Sequence, residues 1–378
     1  MRLLHTADWH LGKVLCGASL VDDQAHALEQ LVHIASDFRP SAILISGDIY
    51  DRVVPPPEAV ALLDNVLSML VREVKVKVIF IDGFQDSPDR LSFAARLLEN
   101  QGVHARTTLT GSVAVELIDE HGPVRIYPVP CADLPTLRNF LNRPDLIHPS
   151  EATRALVQKV RAAHPEGVRS VVVAHTPCVG GQPSPSEPPI PPHSWVQPAL
   201  FEGFDLAALG YFHKPQSVGS KKVVYAGSLL PYSFDEAGQT RSVNKITLDN
   251  RGRLRVEAAP INPRRLLRRL EGKLEDLIAT SFDIPQGDYL QIRLTDDVPV
   301  ADAWGRLRAI FPNLLSVEHP RMKASLPLEL QRPEDPAFFS EFHREVTGQA
   351  PSLTDLVLLG ELSAATGAAD RSAEPGAP

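Results

Sequence analysis

The chain has 378 residues, 43% hydrophobic and 22% charged, with a formal net charge of −8. That length can bury a substantial core in two or three domains, and the acidic balance excludes a globally basic nucleic-acid binder, leaving only local basic surfaces. The three cysteines, Cys16, Cys131 and Cys178, lie too far apart for a Cys-x-x-Cys site or a disulfide framework, and no apolar run or leader marks a membrane or secretory segment, so the expected address is the cytoplasm.

Residues 2–7 read as a buried strand ending in Asp8-Trp9-His10. Residues i and i+2 of a strand point to one side, so Asp8 and His10 can aim at one point where α/β proteins usually bind ligands. Leu28, Leu31, Val32, Ile34 and Ala35 recur at helical spacing and predict a helix over about 20–38, stopped by Pro40. A second buried strand, 42–45, runs into Ser46-Gly47-Asp48-Ile49-Tyr50-Asp51. Pro55-Pro56-Pro57 opens a helix to about residue 74, and 75–81 forms a strand that stops at Asp82-Gly83-Phe84-Gln85-Asp86. Ser87 and Pro88 suit the start of a helix reaching about residue 100. Apolar strands alternating with helices in this way predict a sheet covered on both faces.

Further strands are expected at 112–118 and 124–130, then a helix capped by Ser150 and running to about 163. Residues 170–175 form a buried strand ending in His175. Residues 183–192 are Pro-rich and predict an irregular surface loop. An apolar strand over 206–213 ends in His213, and 223–226 and 243–248 add strands. Composition shifts near Arg251. Residues 264–280 predict a helix whose start carries Arg264, Arg265, Arg268 and Arg269, a charge-laced exposed face or a DNA patch. Strands at 289–294 and 315–318 and a helix at 301–310 complete a small α/β unit. Pro333 and Pro336 mark a linker, 337–347 and 353–363 predict two amphipathic helices, and an Ala- and Gly-rich tail is expected to be disordered.

Each strand-end residue alone has an ordinary structural reading, since a lone His after an apolar strand commonly packs at a core or rim. Repetition changes that reading. Asp8, His10, Asp48, His175 and His213 follow strand ends of one sheet edge, and such mixed oxygen and nitrogen donors suit divalent metals. Two adjacent metals can activate water and clamp a phosphoryl group.

Asp8-Trp9-His10, Gly47-Asp48, residues 83–86, Ala174-His175 and residues 210–213 resemble, in order, the five motifs of the calcineurin-like metallophosphoesterases. The flanks, including residues 4–12, 83–90 and Tyr225-Ala226-Gly227-Ser228, resemble the SbcD-type nuclease components of bacterial SbcCD complexes, over residues 1 to about 363. The resemblance implies an α/β sandwich of two mixed sheets flanked by helices over 1–250. It also implies a small α/β capping, DNA-binding domain over 251–325, C-terminal helices over 330–363 that meet an SbcC/Rad50-like coiled-coil ATPase, and a tail at 364–378. It implies a nuclease using Mn2+, with Mg2+ as the other candidate, that acts on double-stranded DNA ends in break repair and recombination, as a homodimer within a heterotetramer. One metal would be held by Asp8, His10, Asp48 and His213. Asp48 would bridge to a second metal, completed by the positions of Phe84, His175 and Tyr211. The position of Gln85 carries, in the family, a His that assists the leaving group, oriented by Asp86.

The chain departs from that pattern. Gly83-Phe84-Gln85-Asp86 stands where Gly-Asn-His-Asp is usual, and Gly210-Tyr211-Phe212-His213 where Gly-His-x-His is usual. Phe84 has no donor atom. Gln85 can hydrogen-bond but does not transfer a proton near neutral pH. Tyr211 is a poor ligand unless a metal strips its proton. The first metal's ligands are all present and the second's are depleted. The expected protein is therefore an impaired SbcD-like exonuclease or, alternatively, a catalytically degenerate scaffold that binds DNA and ATPase; a small-molecule phosphatase would leave the C-terminal units without a role. Lys13, Arg52, Arg90 and Lys214 sit beside the motifs and are candidate phosphate contacts. Asp51 is a candidate to orient a ligand, and Asp82 and Asp86 are candidates to replace the missing one.

Overall fold

Alternating apolar runs and helical periods build a layered α/β fold. The computed structural model describes residues 1–109, 113–281, 284–298 and 300–319, together with 340, 343–344, 350–352 and 355–356. In chain order its elements begin with β1 (Arg2–Thr6), β2 (Val14–Leu15), β3 (Ala18–Ser19), α1 (Val21–Phe38), β4 (Ala42–Ser46), α2 (Pro57–Ser68), β5 (Lys77–Ile81), α3 (Pro88–Leu91), α4 (Ala95–Glu99) and β6 (Val103–Ala105). There follow β7 (Val115–Asp119), β8 (Gly122–Val129), α5 (Leu134–Leu141), α6 (Pro149–Ala162), β9 (Arg169–His175), β10 (Leu206–Gly210), β11 (Gln216–Ser217) and β12 (Val223–Tyr225). The remainder is β13 (Arg241–Leu248), β14 (Leu254–Ile261), β15 (Leu267–Gly272), α7 (Leu274–Ala279), β16 (Tyr289–Leu294), α8 (Ala303–Ile310) and β17 (Leu314–Glu318). The chain divides into two units, Met1–Arg293 with Val300–Glu318, and Leu294–Pro299 with His319–Pro378. The site described below lies in the first.

One six-stranded sheet runs β14-β13-β1-β4-β5-β6 and a second β11-β12-β10-β9-β8-β7. Both are mixed: β1, β4, β5 and β6 are parallel and β13 antiparallel in the first, while β8, β9, β10 and β12 are parallel in the second. Side chains alternate across each strand. On β4, Ala42 and Leu44 face the second sheet, packing with Leu3, Ile79, Val124, Val171 and Ala208. Ile43 and Ile45 face outward against Leu28 and Leu31 of α1 and Val66 of α2. Burial on both sides explains why these strands read as unbroken apolar runs; each large aliphatic side chain contributes about 1.5–3 kcal/mol. On the far side, α5 and α6 bring Leu137, Leu156 and Val157 onto Val172 and Ala174. The parallel strands β1, β4, β9 and β10 therefore deliver their C-terminal ends to one region between two rigid layers. The expected class, two mixed sheets flanked by helices, is the one observed.

Several sequence expectations change. The helix expected to about residue 74 ends as an α-helix at Ser68 and continues as a π-helical turn, Met69–Glu73. The helix expected to reach residue 100 is broken by Ala94 in the left-handed region (φ 57°). The cap of α6 is His148 rather than Ser150: Glu151 Oε2 accepts from the backbone N–H groups of Ile147 and His148, a capping box. The strand expected to run to His213 ends at Gly210, because Tyr211 takes φ 110°. The division expected after residue 250 falls in the turn of a hairpin, since β13 and β14 pair from Arg241–Ile261 to Leu248–Leu254 and extend the first sheet. The expected helix over 264–280 is instead strand β15 followed by the short α7. Its arginines are spent on carboxylates: Arg264 on Asp22, Arg265 on Asp23, Arg268 on Asp288 and Arg269 on Asp235. The helices expected at 337–347 and 353–363 and the tail at 364–378 lie largely or wholly outside the described residues. Among the described residues no helix is long and apolar enough to cross a membrane.

The end of β7 is tied to the start of β1 and β9. Asp119 accepts from Arg169 and lies 2.6 Å from the amino group of Met1. The guanidinium beside it, with the amino group, holds the Asp119 carboxyl well below the usual carboxylate range. A depressed acid contributes stability that is complete above its ordinary pKa near 4 and is lost as pH falls below it. Asp119→Asn is therefore expected to lower the melting temperature at pH 7, corresponding to about 2 kcal/mol for a charged hydrogen bond, with the difference shrinking below pH 4 in melts across that range.

Candidate metal centre

The loops after β1 and β4 run side by side. Asp8 N donates to Gly47 O at 3.0 Å, His10 N to Asp48 O at 3.0 Å and Leu11 N to Ile49 O at 2.8 Å. Asp8 (φ 53°), His10 (46°), Asp48 (49°) and Tyr211 (110°) all hold left-handed backbone. Non-glycine residues in that region are uncommon and tend to cluster at functional sites. Together these loops and the ends of β9 and β10 gather Asp8, His10, Asp48, His175 and His213, all buried. Asp8, His10 and His213 form one group able to hold a metal ion, and Asp8, Asp48 and His175 form a second, with the ligand atoms of each within 4.8 Å of one another. Asp8 is thus common to both groups, beside the Asp48 that the sequence singled out as the bridge. Asp48 Oδ2 also stands between them, 3.7 Å from His10 Nε2 and 3.5 Å from His175 Nε2.

The donor atoms are set up to receive a cation. His175 Nδ1 donates to the Ser46 carbonyl at 2.8 Å, which fixes one ring proton there and makes Nε2 the nitrogen that a cation would take by displacing its proton. That Nε2 is buried and has no hydrogen-bond partner among the described residues. His10 and His213 turn their Nε2 atoms toward each other at 3.1 Å. Behind His10, Asp51 Oδ1 lies 3.5 Å from Nδ1 and accepts from Lys13 Nζ at 2.9 Å, a placement that orients the ring. An orphaned buried imidazole nitrogen beside two carboxylates fits a divalent ion.

The electrostatics agree. Burial pushes the Asp8 carboxyl up to about 7, with Asp48 adding repulsion and His175 opposing it. Burial also opposes a charge on Asp48, but His175 and His10 hold it below the usual carboxylate range. His175, buried likewise, is held up at about 10 by Asp48 and Asp8, and burial pushes His213 down to about 4. Charge concentrated out of water in this way is what a bound cation relieves.

The third and fifth motifs behave differently. Phe84 is half-exposed and packs edge-on, 5.2 Å from the His175 ring and 5.8 Å from the Tyr211 ring. The Tyr211 phenol is turned away and donates to Pro188 O at 3.0 Å, while its backbone N–H reaches both oxygens of Asp8. Gln85 serves the site through its backbone N–H, which donates to Asp48 Oδ1 at 2.9 Å. Asp86 accepts from the N–H groups of Ile49, Tyr50 and Gly83. It thereby clamps the two loops together. Asp82 accepts from Cys131 N at 3.0 Å and is in neither metal group. Gly83 is required by close approach: a Cβ there would sit 2.1 Å from Asp48 Oδ1. Gly83→Ala is expected to destabilise the chain by about 1–3 kcal/mol and to abolish metal binding, measurable by melting and by metal titration.

Of the basic candidates, Lys13 is committed to Asp51 and Lys214 Nζ donates to Gln182 Oε1 at 2.7 Å, while Arg52 and Arg90 are exposed. Sequence reasoning missed Gln24, which holds the first motif's backbone from α1: its Nε2 donates to Trp9 O and His10 O and its Oε1 accepts from Gly12 N. It also took the Pro-rich loop for a surface excursion. Ser186 and Glu187 of that loop instead contact His213.

Residues 1–178 match the model of the calcineurin-like phosphoesterases, and residues 263–347 match a model described as the type 5 capsule protein repressor C-terminal domain. The chain is 29% identical over 358 residues to SbcD, the D component of the SbcCD nuclease of Staphylococcus epidermidis, across 92% of this chain and 94% of that protein. The chain is SbcD-like over nearly its whole length, and its first half carries the calcineurin-like phosphoesterase match. Looser likenesses in solved structures include TT1561 of Thermus thermophilus, 15% identical, covering 69% of this chain and 99% of that one, with a TM-score of 0.40. Another is a dimetal phosphatase from Danio rerio, 14% identical, covering 69% and 98%, with a TM-score of 0.42. Within this SbcD-like chain the candidate site centres on the Asp8, His10, Asp48, His175 and His213 cluster, with Phe84 half-exposed beside it and the buried Tyr211 phenol turned away.

Proposed function

We propose that this SbcD-like chain is a divalent-metal-dependent DNA phosphodiesterase subunit whose cleavage is slowed because Phe84, Gln85 and Tyr211 stand where the family carries working Asn and His groups. The observation that carries it is the buried Nε2 of His175, without a hydrogen-bond partner among the described residues and facing Asp48 beside the His10 and His213 pair. Asp8, His10, Asp48 and His213 would hold one ion, and Asp48, Asp8 and His175 would flank a second; Mn2+ is the proposed ion, with Mg2+ the alternative. A bound ion supplies Lewis-acid charge to a phosphoryl oxygen and lowers the pKa of water. The chain's own residues orient the donors and exclude bulk water, and Gln85, at the position of the family's leaving-group His, cannot transfer a proton, a loss that typically slows such reactions ~10²–10⁴-fold. The likeness to an SbcCD component supports an SbcC/Rad50-like ATPase partner, a homodimer within a heterotetramer, a role at double-stranded DNA ends in the cytoplasm, and partner contacts from 330–363 beyond a capping unit near 251–325.

The orientation of Tyr211 toward Pro188 favours a second reading, a non-cleaving scaffold that keeps DNA and ATPase binding. Mn2+-dependent cleavage of linear duplex DNA separates the two. Slow cleavage above an Asp8→Ala control supports the nuclease. Activity equal to that control with ATPase binding retained leaves the scaffold.

A further inference from the structure

The Pro-rich loop between β9 and β10 makes two contacts to His213 and one to Tyr211. Ser186 Oγ lies 2.6 Å from His213 Nδ1. Glu187 Oε1 accepts from the backbone N–H of His213 at 2.5 Å, and Pro188 O accepts from the neighbouring Tyr211 phenol. Behind Ser186 stands Glu236, fully buried, which accepts the Ser186 hydroxyl proton on Oε1. Its other oxygen, Oε2, accepts from Arg241 Nη2 and from Tyr232 N, each at 2.7 Å. Arg241 in turn donates to His213 O, as does Ser228 N at 3.0 Å.

We infer that Glu236 and Ser186 form a positioning relay that fixes the His213 tautomer, with the ring proton on Nδ1 and the Nε2 lone pair presented to the metal centre. The inference rests on the metal-centre reading above for its purpose, but the tautomer follows from proton counting. A carboxylate ion-paired to Arg241 accepts only. Ser186 has one proton and gives it to Glu236. Its oxygen can then only accept from His213, so Nδ1 must carry the ring proton. Nε2 is left bare, and it is the atom that faces His10 Nε2. Ser186 and Glu236 touch no reacting atom and act through His213. Partners of this kind commonly change metal affinity 10–100-fold when removed.

The test uses the full chain, metal-free, with 15N-labelled histidine. Long-range proton–nitrogen spectra should show His213 protonated on Nδ1. Ser186→Ala should shift it toward the Nε2-protonated form, and Ser186→Thr, which keeps the hydroxyl, should restore it. Glu236→Gln gives an independent variant: an amide NH2 donating to Ser186 turns the relay around and puts the ring proton on Nε2. In parallel, Co2+ titration followed by visible absorption should show Ser186→Ala binding about 10–100-fold more weakly and Ser186→Thr close to the unmodified chain. An unmodified chain whose His213 proton is on Nε2 overturns the relay outright, as does a Ser186→Ala chain with unchanged tautomer and Co2+ affinity. If the unmodified chain binds no Co2+ yet shows the expected tautomers, the metal reading fails while the relay stands.

Discussion

Without divalent metal, Asp8→Asn is expected to melt at a higher temperature than the unmodified chain, and Mn2+ should raise the melting temperature of the unmodified chain alone. Asp8 is fully buried, sits on left-handed backbone and faces a second carboxylate, Asp48. Its hydrogen bonds come from the Tyr211 N–H, at 3.0 and 3.2 Å. An asparagine keeps an acceptor for that N–H and removes a charge whose burial costs several kcal/mol when uncompensated. The sign follows from linkage. Burial raises the folded-state pKa of Asp8 from its ordinary value to about 7, so the folded chain holds a proton that the unfolded chain has shed. The unmodified chain then loses stability as pH rises from about 4 to 7, and Asp8→Asn lacks that slope. Metal reverses the order: an ion at 100 times its Kd stabilises the chain that binds it by about 2.7 kcal/mol. Melting curves at pH 5 and 8, with and without Mn2+, measure both effects. An Asp8→Asn chain that melts lower in metal-free buffer at pH 8 would show that Asp8 is adequately compensated without a cation.

Much of this was legible in the residues, for physical reasons. Strands β1, β4, β9 and β10 are buried on both faces, so their sequences are continuous apolar runs that stop abruptly at Asp8, Asp48, His175 and beyond Gly210. Strand-end ligands need no long-range information to be noticed, because their spacing is local. The supporting layer was not legible. Gln24 lies on a helix, Ser186 and Glu187 in a proline-rich loop, and Glu236 beyond β12; nothing in their local sequence distinguishes them from solvated polar residues. Only tertiary packing makes them neighbours of His10 and His213. Asp86 carries a structural contact that its motif did not announce. Its place in a motif pointed to chemistry, and three backbone N–H groups also take up its oxygens. The arginines at 264–269 had helical spacing, but they meet acidic partners on α1 and around β16 that no local pattern could announce, and the segment becomes a strand.

Restoring the usual motif residues together, Phe84→Asn, Gln85→His and Tyr211→His, is expected to speed Mn2+-dependent DNA cleavage by ~10² or more. The backbone already holds the geometry those side chains would use. Gln85 supports Asp48 through its N–H, and Tyr211 supports Asp8 through its N–H, so neither contact depends on the side chain being replaced. Tyr211 is at φ 110° whatever its side chain, and the exchange forfeits its bond to Pro188 O, about 1 kcal/mol. Phe84 is half-exposed, so asparagine there leaves no core cavity, and it replaces a ring packed edge-on against His175 with a ligating group beside that imidazole. The gain should divide by role. Phe84→Asn with Tyr211→His should raise the metal content per chain, read by anomalous scattering. Adding Gln85→His should raise kcat with little further change in metal content, because an imidazole there can transfer a proton to a departing oxygen and an amide cannot. If the restored chain binds more metal yet cleaves no faster, the fault lies in substrate placement rather than in these three side chains. If the unmodified chain already matches the restored one, those side chains are not what limits it, and the reading of an impaired nuclease is wrong.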